Sequence, residues 1–222
     1  MARSSAKKTS TVKAPGRGKY DRTRTPDERE KEQLARLLDA AGHVFAEVGW
    51  ADATVEAIVS RAGMSRRTFY EHFADLRDCL RVFHQKATRR AFRAVEMAVA
   101  NAPANPGERL RMGVTGFLGG IVMFPHVARV VFRVVRSAGP EFEAVHEEMI
   151  NRFAKLFFDG LSSSYAQGWT TVPPDELRIL SVVSAMEAVA MRFVVRGEES
   201  KAMDAAPVFV DMVERIFGTV QK

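Results

Sequence analysis

Residues 54–73 hold the side chains whose types and spacing point to chemistry: Thr54, Val55, Ile58, Val59 and Ala62, then Gly63 and Ser65, then Arg66, Arg67, Thr68, Phe69, Tyr70, Glu71, His72 and Phe73. Val55, Ile58, Val59 and Ala62 share one face of a short helix that Thr54 caps. Gly63 supplies a turn with positive φ, which other residues resist. Ser65 caps a second helix. Phe69 and Phe73 lie four apart and face a core, which leaves Arg66, Arg67, Thr68, Tyr70 and Glu71 outward, near that helix's start. A helix-turn-helix presents such early positions to base edges in the DNA major groove. Two roles stand for Arg66 and Arg67. They pair with guanine edges, a bidentate contact worth ~1–3 kcal/mol each, or they grip phosphate. Glu71 sits at i, i+4 from Arg67 and can occupy it.

Other chemistries find little footing. His146-Glu147 lacks the second histidine of a zinc-protease motif, and Gly116, Gly119 and Gly120 follow no strand, as a phosphate loop requires. The one cysteine, Cys79, excludes a disulfide framework and multi-cysteine metal sites, and no histidine is obviously paired with it. By itself the helix-glycine-helix pattern fits either an ordinary helical hairpin or a DNA-binding motif, and the residues point to no enzyme, no cofactor and no metal.

The elements that must position these residues are helices. Thr25-Pro26-Asp27-Glu28 is an N-cap, a proline at the first helical position and acids in the first turn. Leu34, Leu37, Leu38, Ala41, Val44, Phe45 and Val48 then recur on one helix face, and Gly49 ends it. Leu76, Leu80, Phe83, Ala87, Ala91, Val95 and Ala98 mark a long fourth helix that stops before Pro103. Prolines 106, 125, 140 and 174 each stand where a helix can begin, and the expected spans are 106–120, 125–137, 140–166, 174–197 and 204–219. Residues 130–135 (Val-Val-Phe-Arg-Val-Val) are β-prone by composition, but their length and proline-bounded setting fit a buried helix. The fold class is all-α, with about nine helices: an N-terminal three-helix reading head and a C-terminal helical ligand-binding and dimerisation region.

This block is similar to the DNA-binding domain of the TetR family of transcriptional regulators over residues 32–83. The matching residues are Leu37 to Ala41, Phe45 to Gly49, Thr54 to Ile58, Ala62 to Ser65, Thr68 to Tyr70, His72-Phe73 and Leu80. The resemblance implies phosphate contacts from Thr54, Thr68, Tyr70 and His72, beside a capping Ser65. It also implies a homodimer, joined through helices 174–197 and 204–219, on double-stranded DNA with a palindromic operator. Two departures stand out. Ala74-Asp75-Leu76 replaces a Pro-Ser-Lys whose lysine contacts phosphate, which puts that contact in doubt and leaves Arg77 or the first amides of helix four as candidates to replace it. Val59 stands where alanine is common.

Of 222 residues, 33 are Lys or Arg and 27 Asp or Glu, a net +6. The distribution matters more: residues 1–24 carry +7, residues 25–80 carry −4 and residues 81–222 carry +3. The expected organisation is a disordered basic arm over 1–25, a reading head over 26–75 and a regulatory region over 76–222. The acidic head needs placed side chains to bind DNA, and the arm adds the attractive field, either along phosphates or in the minor groove. No apolar run is long enough for a membrane span and the arm lacks a signal's apolar core, so a cytoplasmic protein without membrane contact is expected. Met112, Phe117, Met123, Phe124, Phe132, Phe153, Phe157 and Trp169 are large apolar side chains that suit a pocket for a hydrophobic small-molecule effector, with His126 able to orient it. The most favoured function is a repressor released by that effector. A regulator without a ligand, or an activator, is the alternative.

Overall fold

Thr25 opens the folded part as its sequence requires: its hydroxyl accepts from the Glu28 amide (3.3 Å) while the Glu28 carboxylate accepts from the Thr25 amide (2.9 Å). The computed structural model describes residues 25–219, and the basic stretch 1–24 lies outside them. From this cap α1 runs over Pro26–Val48 and ends at Gly49, whose φ of 79° only glycine adopts cheaply. Then follow α2 (Val55–Ala62), α3 (Arg66–His72), α4 (Leu76–Ala100), α5 (Pro106–Met123), α6 (Pro125–Ser137), α7 (Glu141–Ala166), α8 (Glu176–Arg196) and α9 (Ala206–Phe217). These nine α-helices, with a 3-10 turn over Glu199–Ala205 before α9, make an all-α fold among the described residues.

Two of the expected spans end differently, for physical reasons. Helix α5 continues to Met123 and stops at Phe124, whose extended φ of −131° is what a residue before Pro125 prefers. The last expected helix, 204–219, splits because Pro207 has no N–H and so favours the first turn of a helix, leaving the preceding residues as 3-10. Residues Val130–Val134 are helical, with wider π-type bonding inside α6, and Val130, Val131, Phe132 and Val134 are buried. Their β-branched character is overridden by burial from both sides.

Two hydrophobic cores result. One gathers Leu37, Phe45, Ile58, Phe69, Leu80 and Phe83 from α1–α4 with Phe73 at the end of α3, and also Val130, Val134 and Val135 from α6, Ala138 after it and Phe142 from α7. The other joins Phe92 and Val95 of α4 to Val114 and Leu118 of α5, Met149 and Phe153 of α7, Ile179, Val183 and Met186 of α8, and Phe209, Val213 and Phe217 of α9. Helix α4 therefore belongs to both cores, and packing is not interrupted between residues 75 and 76. Among the described residues no single helix is long and apolar enough to cross a membrane.

Candidate nucleic-acid interface

The turn between α2 and α3 is built by three local devices. Thr54 caps α2 by accepting from the Ala57 amide (3.2 Å). Gly63 takes φ 63°, ψ 40°, and the Met64 amide then donates back to the Val59 carbonyl (2.9 Å). Ser65 accepts from the Thr68 amide (3.1 Å), and its hydroxyl also meets that of Thr68 at 3.0 Å. Phe69 is fully buried and anchors α3 against the first core, with the Phe73 ring 5.1 Å away.

The outer face of α3 carries the side chains the sequence pointed to. Arg67 is 89% exposed and its Nε donates to Glu71 at 3.0 Å, the i, i+4 pair expected from spacing. Arg66 is held by Glu56 of α2 and reaches the Tyr70 hydroxyl at 3.4 Å. Tyr70 is half exposed, its ring edge-on to Phe69 at 5.4 Å. The His72 Nε2 is shielded and has no partner among the described residues. Arg66, Arg67, Thr68, Tyr70 and His72 thus lie on α3, Ser65 caps it, and Thr54 caps α2. Exposed ion pairs such as Arg66–Glu56 are weak, so phosphate or base edges can take the arginines from their acids.

Arg77 is placed elsewhere. It donates to the Ala138 carbonyl (3.0 Å), pairs with Glu141 and lies 5.3 Å from the centre of the Trp50 ring. Its guanidinium thus ties the start of α4 to the α6–α7 corner rather than standing free for phosphate. At the start of α4 Asp75 accepts from the Asp78 amide (2.7 Å), and Asp78 accepts from the amide of Ala74, which precedes the helix (3.1 Å). That backbone bond, helped by Arg81, holds the Asp78 carboxyl below its ordinary pKa.

Several supports were not read from sequence. Arg36 of α1 donates to the Ala62 carbonyl at the end of α2 (2.6 Å), and Arg61 pairs with Glu47 at 2.7 Å. Trp50 lies between Phe45, at 6.1 Å, and Phe142, at 6.5 Å. No periodicity links residues 14, 26 or 92 positions apart, so only the fold could pair Arg61 with Glu47, Arg36 with Ala62 or Trp50 with Phe142.

The nine expected pocket residues do not converge. Phe117 packs edge-on to Phe132 and Phe153 (6.3 and 6.0 Å), which fills the space between their helices. Met112 and Met123 are exposed, the latter by 72%. The Phe124 ring lies under Arg90 (5.1 Å), His126 stacks on His43, and Phe157 is half-buried against the second core. Trp169 is half-buried in the turn after α7. Of the nine only Phe153 lines the cavity of about 140 Å³ between α4 and α7. Its other walls include His84, Arg89, Phe92, Glu148 and Arg152. His84 is 1% exposed and neither ring nitrogen has a partner among the described residues. Burial, with a smaller push from His146, lowers its pKa to about 4.

With this geometry in view, comparison with known proteins is direct. Residues 37–83 match the family described as bacterial regulatory proteins, tetR family. The match covers α2, the Gly63 turn and α3 entire. By this match residues 37–83 are a TetR-type helix-turn-helix segment. Over 191 residues it is 22% identical to the HTH-type transcriptional regulator EthR of Mycolicibacterium smegmatis, covering 86% of this chain and 84% of that one. A TetR-like transcriptional regulator from Rhodococcus sp. RHA1 superposes with a TM-score of 0.66 at 26% identity, over 86% of this chain and 97% of that one. FadR from Bacillus subtilis, solved in complex with stearoyl-CoA, gives 0.72 at 16% identity, over 81% and 96%. The matched segment is the one that carries the α3 surface.

Proposed function

We propose that this chain is a TetR-family regulator, a cytoplasmic homodimeric repressor bound to a palindromic operator and released by a small-molecule effector. In this reading residues 26–75 are the reading head, 76–222 the regulatory and dimerisation region, and the basic residues before Thr25 add phosphate contacts. Arg66 and Arg67 meet the DNA first, and Thr54, Ser65, Thr68, Tyr70 and His72 position the head on the backbone. The observation that carries the reading is the double membership of α4. Cys79, Leu80 and Phe83 belong to the reading head's core, while Phe92 and Val95 belong to the second core and His84 and Phe92 line the cavity.

A dimer is supported by apolar surface that one chain leaves uncovered. Leu177, Leu180 and Val195 on α8 and Val208 on α9 are exposed by 74, 40, 62 and 64%, although both helices already bury a full stripe inside the chain. Two heads then read half-sites about one DNA turn (~34 Å) apart.

The cavity supports the release step. At about 140 Å³ it is smaller than the ~300 Å³ a drug-sized ligand fills. An effector must therefore move α4 away from α7, so it binds the wider shape better and shifts the population toward it. Arg89 and Arg152 suit an anionic head, and Phe92, Met149 and Phe153 an apolar chain. Stearoyl-CoA, the ligand of the B. subtilis neighbour, has both features and is the first probe to use.

Selection from random DNA should yield a palindrome, and Arg66→Ala or Arg67→Ala should relax preference at a defined base pair by ~10-fold. Stearoyl-CoA should then weaken binding of the wild type and not of an Arg152→Glu chain. Random DNA that yields no preferred sequence would refute the reading. Release that ignores Arg152 would move the effector site elsewhere, and selected DNA that activates a reporter would favour the activator alternative.

A further inference from the structure

Among the described residues one group of side chains brings metal-binding donors together outside the DNA surface and the cavity: Asp39, His43 and His126, whose donor atoms all lie within 4.8 Å of one another. Asp39 and His43 are one helical turn apart on α1, hence on one face. His126 is the second residue of α6. The sequence separates it from His43 by 83 positions, so the cluster exists only through the docking of α6 on α1. Gly42, also on α1, leaves room for the Phe83 ring of α4, which a Cβ there would meet at 2.5 Å, and the His126 ring lies at contact distance from it (3.5 Å).

We propose that Asp39, His43 and His126 form a divalent transition-metal site that clamps the reading head to the regulatory region across the α1–α6 joint. Two imidazole nitrogens and one carboxylate oxygen are a donor set for zinc, cobalt or nickel, whereas calcium and magnesium prefer oxygen alone. The ligands are exposed or half-buried, so an ion has access and water can complete the coordination. The imidazoles are stacked at 4.1 Å with 12° between their planes. Nitrogen lone pairs lie in the ring plane, so these rings must splay apart to share one ion, which half-buried side chains can do by torsional rotation. The nearby cations do not oppose it strongly. Arg61 is neutralised by Glu47 and Arg129 by Glu199, each at 2.7 Å.

An ion here bonds both sides of the joint. It therefore stabilises the folded chain in proportion to its binding and restricts how the head turns on α6. The test uses the tag-free full-length chain, stripped with chelator and titrated with zinc by calorimetry and with cobalt by visible absorption. We expect one ion per chain, a Kd below ~10 µM and a melting temperature that rises with zinc. His126→Ala, His43→Ala and Asp39→Asn should each weaken uptake at least tenfold while leaving the metal-free melting curve close to wild type, because these side chains are only partly buried. His126→Cys, which keeps a donor, should restore uptake and add a cobalt–thiolate charge-transfer band even if His126→Ala folds poorly. Absence of saturable uptake by the wild type, or uptake that survives both histidine substitutions, would overturn the proposal.

Discussion

Replacing His84 with leucine removes the one fully buried imidazole, a ring 1% exposed whose two nitrogens have no partners among the described residues. The pKa of His84 falls from 6.5 to about 4 because burial penalises the charged ring, with His146 adding to the push. The unfolded chain therefore takes up a proton below 6.5 that the folded chain refuses until about 4. The contribution of this group to stability is fully kept above 6.5 and declines as pH falls toward 4. A shift of this size corresponds to a loss of ~3 kcal/mol by pH 4, of which ~2 kcal/mol appears between pH 7 and pH 5. For a chain of this size that is ~4–8 °C in melting temperature. Carboxylates also titrate in acid, so the informative quantity is the difference between wild type and His84→Leu. Urea unfolding of both at pH 7, 6 and 5, at matched ionic strength and protein concentration, supplies it. The leucine chain should be at least as stable at pH 7, since two unsatisfied nitrogens disappear, and should lose ~2 kcal/mol less on going to pH 5. Parallel pH curves for the two proteins would show that the imidazole is not shielded as described.

Arg77→Ala should lower the melting temperature by a few degrees, in line with ~1 kcal/mol for a half-exposed cation–π contact and ion pair, and should leave the salt dependence of DNA binding unchanged; a slope of log K against log salt shallower by ~0.9 would return Arg77 to the phosphates. Deleting residues 1–24 should weaken operator binding and flatten that slope, which filter binding across a salt series measures. Arg129→Met leaves the Glu199 carboxylate, 5% exposed, without its bidentate partner (2.7 and 3.3 Å); chemical denaturation should show a loss of ~1–3 kcal/mol. Cys79 is fully buried and burial raises its thiol pKa, so a thiol reagent should label it only after denaturant is added.

The reading head was legible because its signals are local. Thr25, Thr54 and Ser65 each accept a hydrogen bond from an amide three residues on, and Gly63 takes the left-handed conformation at the turn. Such devices act over one helical turn and need no knowledge of the rest of the chain. The apolar spacing of α1 and α4 likewise announced which faces are buried, and the proline positions located most helix starts. The candidate pocket was not legible in the same way. Large apolar residues look alike whether they line a cavity or fill a core, and here Phe117, Phe132 and Phe153 fill one. The cavity instead has mostly polar and charged walls, including His84, Arg89 and Arg152, which the sequence presents as ordinary helix residues.

By itself, then, the sequence determined the helices, their caps, the turn between α2 and α3, and the outward set Arg66, Arg67, Thr68 and Tyr70. Each depends on residues within about four positions of one another. Tertiary structure decided what those helices meet. It moved Arg77 from a supposed phosphate contact to the Trp50–Glu141 corner, drew α6 into the reading head's core, and set His126 against His43. The physical reason is separation along the chain. A contact between residues 60 or 80 positions apart has no period, and it exists only once burial of both cores has brought the helices together.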